Sequence, residues 1–107
     1  MKREELAAFR VTPYLKYGYE DVIAAAKPIF EALIDDLIHL PENASEAERL
    51  LVFKRCVERL NEMDESEDLS YGIDTIEREE FCEQFYMIGE IVGLDPASDF
   101  VDNWREW

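Results

Sequence analysis

The chain has 107 residues, and its 26 acidic and 11 basic side chains give a formal charge of −15 and a pI near 4.3. Such a charge argues against nucleic acid or an anionic membrane as a direct partner. A hydrophobic content of 48%, with 12% aromatic residues, excludes a disordered acidic tail and suits one globular domain.

The acidic residues are unevenly distributed along the chain. Residues 1–61 hold 11 acidic and 9 basic side chains, whereas residues 62–107 hold 15 acidic and 2 basic ones. Within residues 62–83, ten of the 22 positions are acidic and only Arg78 is basic. A run of this kind usually forms a solvated face, and otherwise it indicates a surface that meets a positively charged partner.

The first predicted long helix runs from Tyr19 to His39. Apolar residues recur there at spacings of three and four, which is the helical period. They are Val22, Ala26, Ile29, Phe30, Leu33, Leu37 and Leu40. Pro28 either kinks this helix or starts a second one. The eighteen residues before it predict one short helix that ends before Pro13.

The next predicted helix begins at the sequence SEAE, where Ser45 and Glu48 have the spacing of a capping box. Its buried stripe consists of Leu50, Phe53, Val57 and Leu60, with Cys56 alongside. The helix is expected to end in the sequence NEMDESEDLSYG, which is rich in charge and in turn-forming residues.

A third helix is predicted to start near Asp74, whose carboxylate can cap it by accepting from the amide of Glu77. Ile76 leads into a core face made of Phe81, Phe85, Ile88 and Val92. Gly93 is expected to end this helix in the left-handed conformation.

A short fourth helix is predicted to follow, starting at Asp95 and Pro96 or at Ser98. Its aromatic side, which would cover the bundle as a lid, consists of Phe100, Trp104 and Trp107. The prediction is therefore all-α: residues 1–107 form a single-domain helical bundle of four to five helices, with an acidic face concentrated in residues 62–107.

The sequence also predicts a cytoplasmic protein. The start MKREELAAF lacks an apolar core long enough for a secretory signal, and no segment approaches the length of a membrane span. Cys56 and Cys82 fall inside helical apolar patterns, so two buried thiols in a reducing compartment are expected. A disulfide joining two packed helices is the alternative.

The acidic run does not fit a calcium-binding loop of the EF-hand type, which needs glycine at position six and glutamate at position twelve. A loop starting at Asp64 has Leu69 at position six and Thr75 at position twelve. A loop starting at Asp68 has Ile73 at position six. We therefore expect no dedicated metal site, although a dense group of acids can bind a divalent ion weakly.

Other metal centres and catalytic sites lack the residues they require. His39 is the only histidine, whereas a di-iron bundle needs two Glu-x-x-His motifs. The two cysteines lack the spacing of a zinc site, and no glycine-rich phosphate loop occurs. No histidine is left to activate a serine or a cysteine. The sequence thus predicts that the protein is not an enzyme and that it has no cofactor.

Recognition of a basic protein is the remaining interpretation, since charge guides association and buried rings provide affinity. Glu77, Glu80 and Glu83 are three residues apart, and this spacing predicts that they share one helical face. The acids between Glu62 and Glu83 are expected to be mostly exposed. The predicted partner-binding residues are Asp68, Tyr71, Asp74, Glu77, Glu80 and Glu83.

Two groups of tyrosines bear on this interpretation. Tyr71 lies in the middle of the acidic loop, either as an exposed anchor or folded back on the core. Tyr14, Tyr17 and Tyr19 form a second group, which is expected to pack against the bundle.

Three stretches, FKRCVERLNEMDE, IDTIEREEFCEQF and VGLDPASDFVDNWREW, resemble small acidic bacterial immunity proteins of polymorphic toxin and contact-dependent inhibition systems. The resemblance covers about residues 45–107. It implies a helical protein that binds one cognate toxin domain, often a basic nuclease, and blocks it in the cytoplasm of the producing cell. A looser similarity links EDLSYGID to the colicin immunity proteins, which present acids and a tyrosine near the third helix.

Together, the residues and the resemblance predict an immunity protein whose acidic surface covers the substrate groove of a cognate toxin domain, which is basic and often a nuclease. Two alternatives stay open, an acidic mimic of DNA and a housekeeping adaptor between proteins. A DNA mimic should spread its charge in a phosphate-like array instead of leaving residues 1–61 nearly neutral.

Overall fold

The computed structural model describes residues 3–9, 19–66, 72–95 and 100–107. Four α-helices occur in these ranges: α1 (Arg3–Ala8), α2 (Glu20–Ile38), α3 (Glu46–Asp64) and α4 (Thr75–Ile91). A 3-10 helix, Phe100–Asn103, follows them. The described residues contain no strand, and the predicted all-α fold is confirmed.

Helix α2 is continuous through Pro28, so this proline neither starts a second helix nor ends the first. The predicted span, from Tyr19 to His39, corresponds to the N-cap and C-cap residues of the observed helix. His39 lies at the C-terminus of α2, and its Nδ1 is 2.7 Å from the carbonyl oxygen of Asp35. A basic side chain at this end suits the helix dipole.

Helix α3 begins at the predicted cap. The Ser45 hydroxyl accepts a hydrogen bond from the Glu48 amide at 3.1 Å and donates one to the Glu48 carboxylate at 3.3 Å. The buried face of α3 consists of Val52, Phe53, Cys56, Val57, Leu60 and Met63. This face agrees with the predicted stripe except at Leu50, which is half-buried.

Helix α4 begins after Asp74, as predicted, but the Asp74 carboxylate accepts from the Thr75 amide at 2.8 Å instead of the Glu77 amide. Ile76 does not lead into the core, because 51% of its surface is exposed; Ile73 is buried at that end instead. Gly93 follows the helix with φ 86°, the left-handed conformation that the sequence predicts.

Phenylalanine rings from three helices and the 3-10 helix meet in the core. The Phe30 ring of α2 lies 5.4 Å from that of Phe81 and 4.9 Å from that of Phe85, both on α4. The Phe53 ring of α3 lies 5.1 Å from that of Phe100 in an edge-on arrangement. Such pairs contribute about 0.5–1.5 kcal/mol each beyond the burial of their surface.

The segment 100–107 closes one side of the bundle, which is the position predicted for the short fourth helix. Phe100 packs so close to α4 that a Cβ at Gly89 would lie 3.0 Å from its ring. Trp107 is buried edge-on against Phe81 with ring centroids 6.0 Å apart, whereas Trp104 is only half-buried. Of the predicted start of this helix, Asp95 is exposed and not helical, whereas Pro96 and Ser98 lie outside the described residues.

Asn61 of α3 holds this segment in place with both ends of its amide. Its Nδ2 donates to the carbonyl oxygen of Trp104 at 3.0 Å, and its Oδ1 accepts from the amide of Glu106 at 3.1 Å. One side chain thus fixes two backbone groups of a segment more than 40 residues away in sequence.

Helix α1 is the short N-terminal helix that the sequence predicts, and Leu6 anchors it in the core with no exposed surface. Pro13, before which it was predicted to end, lies outside the described residues. None of the described helices is both long and apolar enough to cross a membrane.

Candidate partner-binding surface

The acidic residues between positions 62 and 83 have two kinds of role. Three of them, Asp64, Asp74 and Glu77, accept hydrogen bonds from backbone amides. Glu62, Glu65, Glu79 and Glu83 are exposed, and Glu80 is half-buried. Some acids of this region therefore stabilise the fold, and several are exposed to solvent.

Asp64 fixes the point at which the chain enters α4. Its Oδ1 accepts from the amide of Ile73 at 2.6 Å, nine residues later. A Cβ at Gly72 would lie 2.6 Å from the same oxygen. Only glycine leaves room for this carboxylate, so Asp64 joins the end of α3 to the start of α4.

Glu77 is buried, and the prediction that it lies on the exposed acidic face is wrong. Only 1% of its surface is accessible, and its Oε2 accepts from the backbone amide of Tyr19 at 3.0 Å. A charge-assisted bond of this kind offsets part of the cost of burying a carboxylate. Glu77 therefore connects α4 to the start of α2 and is removed from the candidate docking residues.

The geometry of the α-helix explains this error. Each three-residue step falls about 60° short of a full turn, so Glu77 and Glu83 are separated by about 120° around the axis. Glu77 consequently faces the core, Glu83 faces solvent, and Glu80 lies between them with its Oε2 buried. The three glutamates do not share one exposed face.

The exposed surface of α4 carries acidic residues without a basic one. Its exposed residues are Thr75, Ile76, Glu79, Glu83 and Glu90. The sequence analysis placed Ile76 at the core and did not include Glu79 or Glu90 among the docking residues. Their spacing from Glu83, at seven, four and seven residues, contained the signal, since it places all of them on one helical face.

Two exposed apolar side chains lie at the N-terminal end of this surface. Ile76 directly precedes Glu77, and Tyr19, which is 40% exposed, is bound to Glu77 through its amide. Because Tyr19 was expected to pack against the bundle, its exposure is a correction. We define the α4 surface as Tyr19, Asp74, Ile76, Glu79, Glu80, Glu83 and Glu90.

The other two long helices do not combine these properties. The exposed face of α2 has the acids Glu20, Glu31, Asp35 and Asp36 but no large apolar residue. The exposed face of α3 has Leu51, at 46% exposure. It mixes three basic residues with four acidic ones, namely Lys54, Arg55, Arg59, Glu46, Glu48, Glu58 and Glu62. Among the described helices, α4 is thus the one with an exposed large apolar residue on a face whose exposed charged side chains are all acidic.

Of the predicted docking residues, Asp68 and Tyr71 lie outside the described residues, as do Tyr14 and Tyr17. Asp74 is exposed beside Ile76 while its carboxylate caps α4. Asp74, Glu80 and Glu83 are therefore the predicted docking residues that the structure brings to the α4 surface.

The cysteines and the candidate metal ligands of the described residues bear on the predictions about thiols and metal ions. Cys56 and Cys82 are free thiols. Burial raises the pKa of the Cys56 thiol, which donates to the carbonyl oxygen of Ile29 at a distance of 3.8 Å, so it does not form a reactive thiolate. In the described ranges, no three His, Cys, Asp or Glu side chains converge on a point where they could hold a metal ion.

Comparison with protein-family models, with curated proteins and with solved structures finds no match to this chain. The geometry of the α4 surface and the resemblance of residues 45–107 are thus the grounds on which a function can be proposed.

Proposed function

We propose that this protein is an immunity protein that binds a cognate toxin domain in the cytoplasm of the producing cell and neutralises it. The α4 surface is the docking site in this proposal. Its partner is a basic domain, such as a nuclease, whose cationic substrate groove the acidic residues occupy.

The observation that supports this proposal best is the coincidence of acidic charge with exposed apolar residues on the α4 surface. Charge at an interface raises the association rate and sets orientation, while a few well-packed apolar or aromatic residues contribute most of the binding energy. Glu79, Glu83 and Glu90 supply the first property. Ile76 and Tyr19 supply the second.

In this proposal, the α4 surface inhibits the partner by occupying the partner's substrate groove. A nuclease binds the phosphate backbone through lysine and arginine side chains. Carboxylates spaced along a helix can pair with those side chains and exclude the nucleic acid. The mechanism requires one-to-one binding and needs no bond to be made or broken.

The test starts from the tagged protein in cells that produce it. Partners retained through a high-salt wash are identified by mass spectrometry, and the partner is then purified alone. We expect a basic protein domain that binds with one-to-one stoichiometry and loses its activity when the inhibitor is added in equimolar amount.

Two other results would reject the proposal. A partner whose activity is unchanged in the complex would indicate an adaptor. Binding to several unrelated DNA-binding proteins, in competition with DNA, would indicate a DNA mimic.

A further inference from the structure

Gln84 of α4 is a buried amide that has no hydrogen bond from its side chain. It has no exposed surface, and neither its Oε1 nor its Nε2 has a hydrogen-bond partner among the described residues. Most buried polar groups in proteins are hydrogen-bonded. An unpartnered one lowers stability, because the bonds that it made to water in the unfolded chain are not replaced.

A second buried polar group lies on the same face of α4. Glu77 precedes Gln84 by seven residues, which is close to two helical turns, so the two side chains leave the helix in nearly the same direction. The Oε2 of Glu77 accepts from the Tyr19 amide, but its buried Oε1 has no partner in the described ranges. Gln84 and Glu77 together thus leave three buried polar atoms without a described hydrogen bond.

The buried faces of the other two long helices are apolar. The buried residues of α3 are the six given above, and those of α2 are Val22, Ile23, Ala26, Phe30, Leu33, Ile34 and Leu37. Within α4, the buried residues besides the polar pair are Phe81, Phe85, Ile88 and Gly89. Gly89 contributes no apolar side chain, and a glycine inside a helix favours the unfolded chain. Among the described long helices, α4 therefore has the fewest buried apolar side chains.

We infer that α4 opens more readily than α2 and α3 in the folded protein, and that the buried amide of Gln84 contributes to this opening. Proteins open locally in units of different free energy, and elements with few buried apolar contacts open most easily. When α4 opens, Gln84 and Glu77 regain hydrogen bonds from water. Opening of α2 or α3 mainly exposes apolar side chains to water, which is unfavourable.

This inference goes beyond the proposed function, because it concerns the free protein and holds whether or not a partner docks on α4. The α4 surface nevertheless lies on the helix that opens. A partner that binds this surface binds the closed helix, so docking would shift α4 towards its closed form. Only this last consequence rests on the proposed function.

The experiment measures amide hydrogen exchange of the intact ¹⁵N-labelled protein by NMR, with no partner present. We expect the most protected amides of α4 to have opening equilibrium constants at least about tenfold larger than those of the most protected amides of α2 and α3. Equal constants for the three helices would overturn the inference, because α4 would then open only with the rest of the molecule.

The variant Gln84→Met tests the role of the amide. Methionine is unbranched, flexible and apolar, so it can fill the same space without a strong hydrogen-bonding group. It should slow exchange of the most protected α4 amides at least about fivefold. Glu83→Met is the matched control, since it places the same side chain at an exposed neighbouring position and should change this exchange by less than about twofold.

Three results with these variants would overturn the role of Gln84. Unchanged exchange in Gln84→Met would mean that the amide has no effect on opening, and faster exchange or loss of the fold would mean that the amide stabilises α4. Equal slowing in Glu83→Met would attribute the effect to methionine at any position of the helix. The comparison of helices in the unsubstituted protein decides the order of opening without a variant. Because no partner is present, failure of this experiment is distinguishable from failure of the proposed function, which partner capture tests.

Discussion

The buried carboxylate of Glu77 accepts a hydrogen bond from the backbone amide of Tyr19, which lies 58 residues earlier in the sequence. This bond fixes the start of α2 against the first turn of α4. It also keeps Tyr19 and Ile76 at the same end of the bundle, so a buried charge positions the apolar part of the α4 surface.

Replacing Glu77 by alanine should lower the free energy of unfolding by about 1–3 kcal/mol, because the Tyr19 amide loses a charged acceptor. Glu77→Gln keeps an acceptor oxygen and should cost less. Urea denaturation followed by circular dichroism measures both effects. Glu79→Ala, an exposed acid on the same helix, is the control and should change stability by no more than about 0.5 kcal/mol. If the alanine variant of Glu77 is as stable as the control, the bond contributes nothing to stability.

Gly72→Ala should disrupt the hydrogen bond between Asp64 and Ile73, because the added Cβ would lie 2.6 Å from the Asp64 oxygen that makes it. We expect this substitution to lower the free energy of unfolding by about 1–3 kcal/mol, and Asp64→Ala to lower it by a similar amount. The loss of unfolding free energy in the double variant should be clearly smaller than the sum of the two single losses, since both changes remove the same hydrogen bond. Strictly additive unfolding free energies would contradict this account.

Phe100→Ala should be the more damaging of two truncations in the segment 100–107. The Phe100 ring is buried against Phe53 and close to Gly89, so its loss should cost about 3–5 kcal/mol. Trp104→Ala should cost less, because Trp104 is half-buried. Thermal and chemical denaturation would show which variant loses more unfolding free energy. A larger loss for Trp104→Ala would mean that Trp104, and not Phe100, is the residue that covers the core.

With the partner in hand, Ile76→Ala should weaken binding by about 2 kcal/mol, mainly through faster dissociation. Leu51→Ala removes a similarly exposed side chain from α3 and should leave affinity unchanged. Surface plasmon resonance measures both rates. An equal effect of the two variants would mean that the α4 surface does not provide the anchor.

The acids of α4 should act mainly on the association rate. Glu79→Lys/Glu83→Lys should slow association about tenfold at low salt, and the difference should shrink as added salt shortens the Debye length below about 10 Å. Glu46→Lys/Glu58→Lys changes the net charge equally on α3 and is the control. Equal slowing by both pairs would attribute the effect to net charge alone.

The helices were predictable because their signals are local. The apolar period of α2, the Ser45 cap of α3 and the glycine after α4 all depend on residues a few positions apart. The role of Glu77 was not predictable in this way. A buried carboxylate needs an amide to accept from, and the local sequence does not show which distant amide that is.

The α4 surface was only partly predictable for a related reason. The density of acids is visible in the sequence, but the division between structural and exposed acids is not. Asp64 and Glu77 bind backbone amides 9 and 58 residues away, and such pairings depend on the tertiary arrangement.

The two hydrogen bonds of Asn61 have a consequence for the order in which parts of the molecule open. Short segments beyond the last long helix usually fray independently of the core. Here two backbone groups of the segment 100–107 are bonded to Asn61, and the rings of Phe100 and Trp107 are buried in the core. We therefore expect the segment 100–107 and the end of α3 to open as one cooperative unit, whose amides exchange with solvent together.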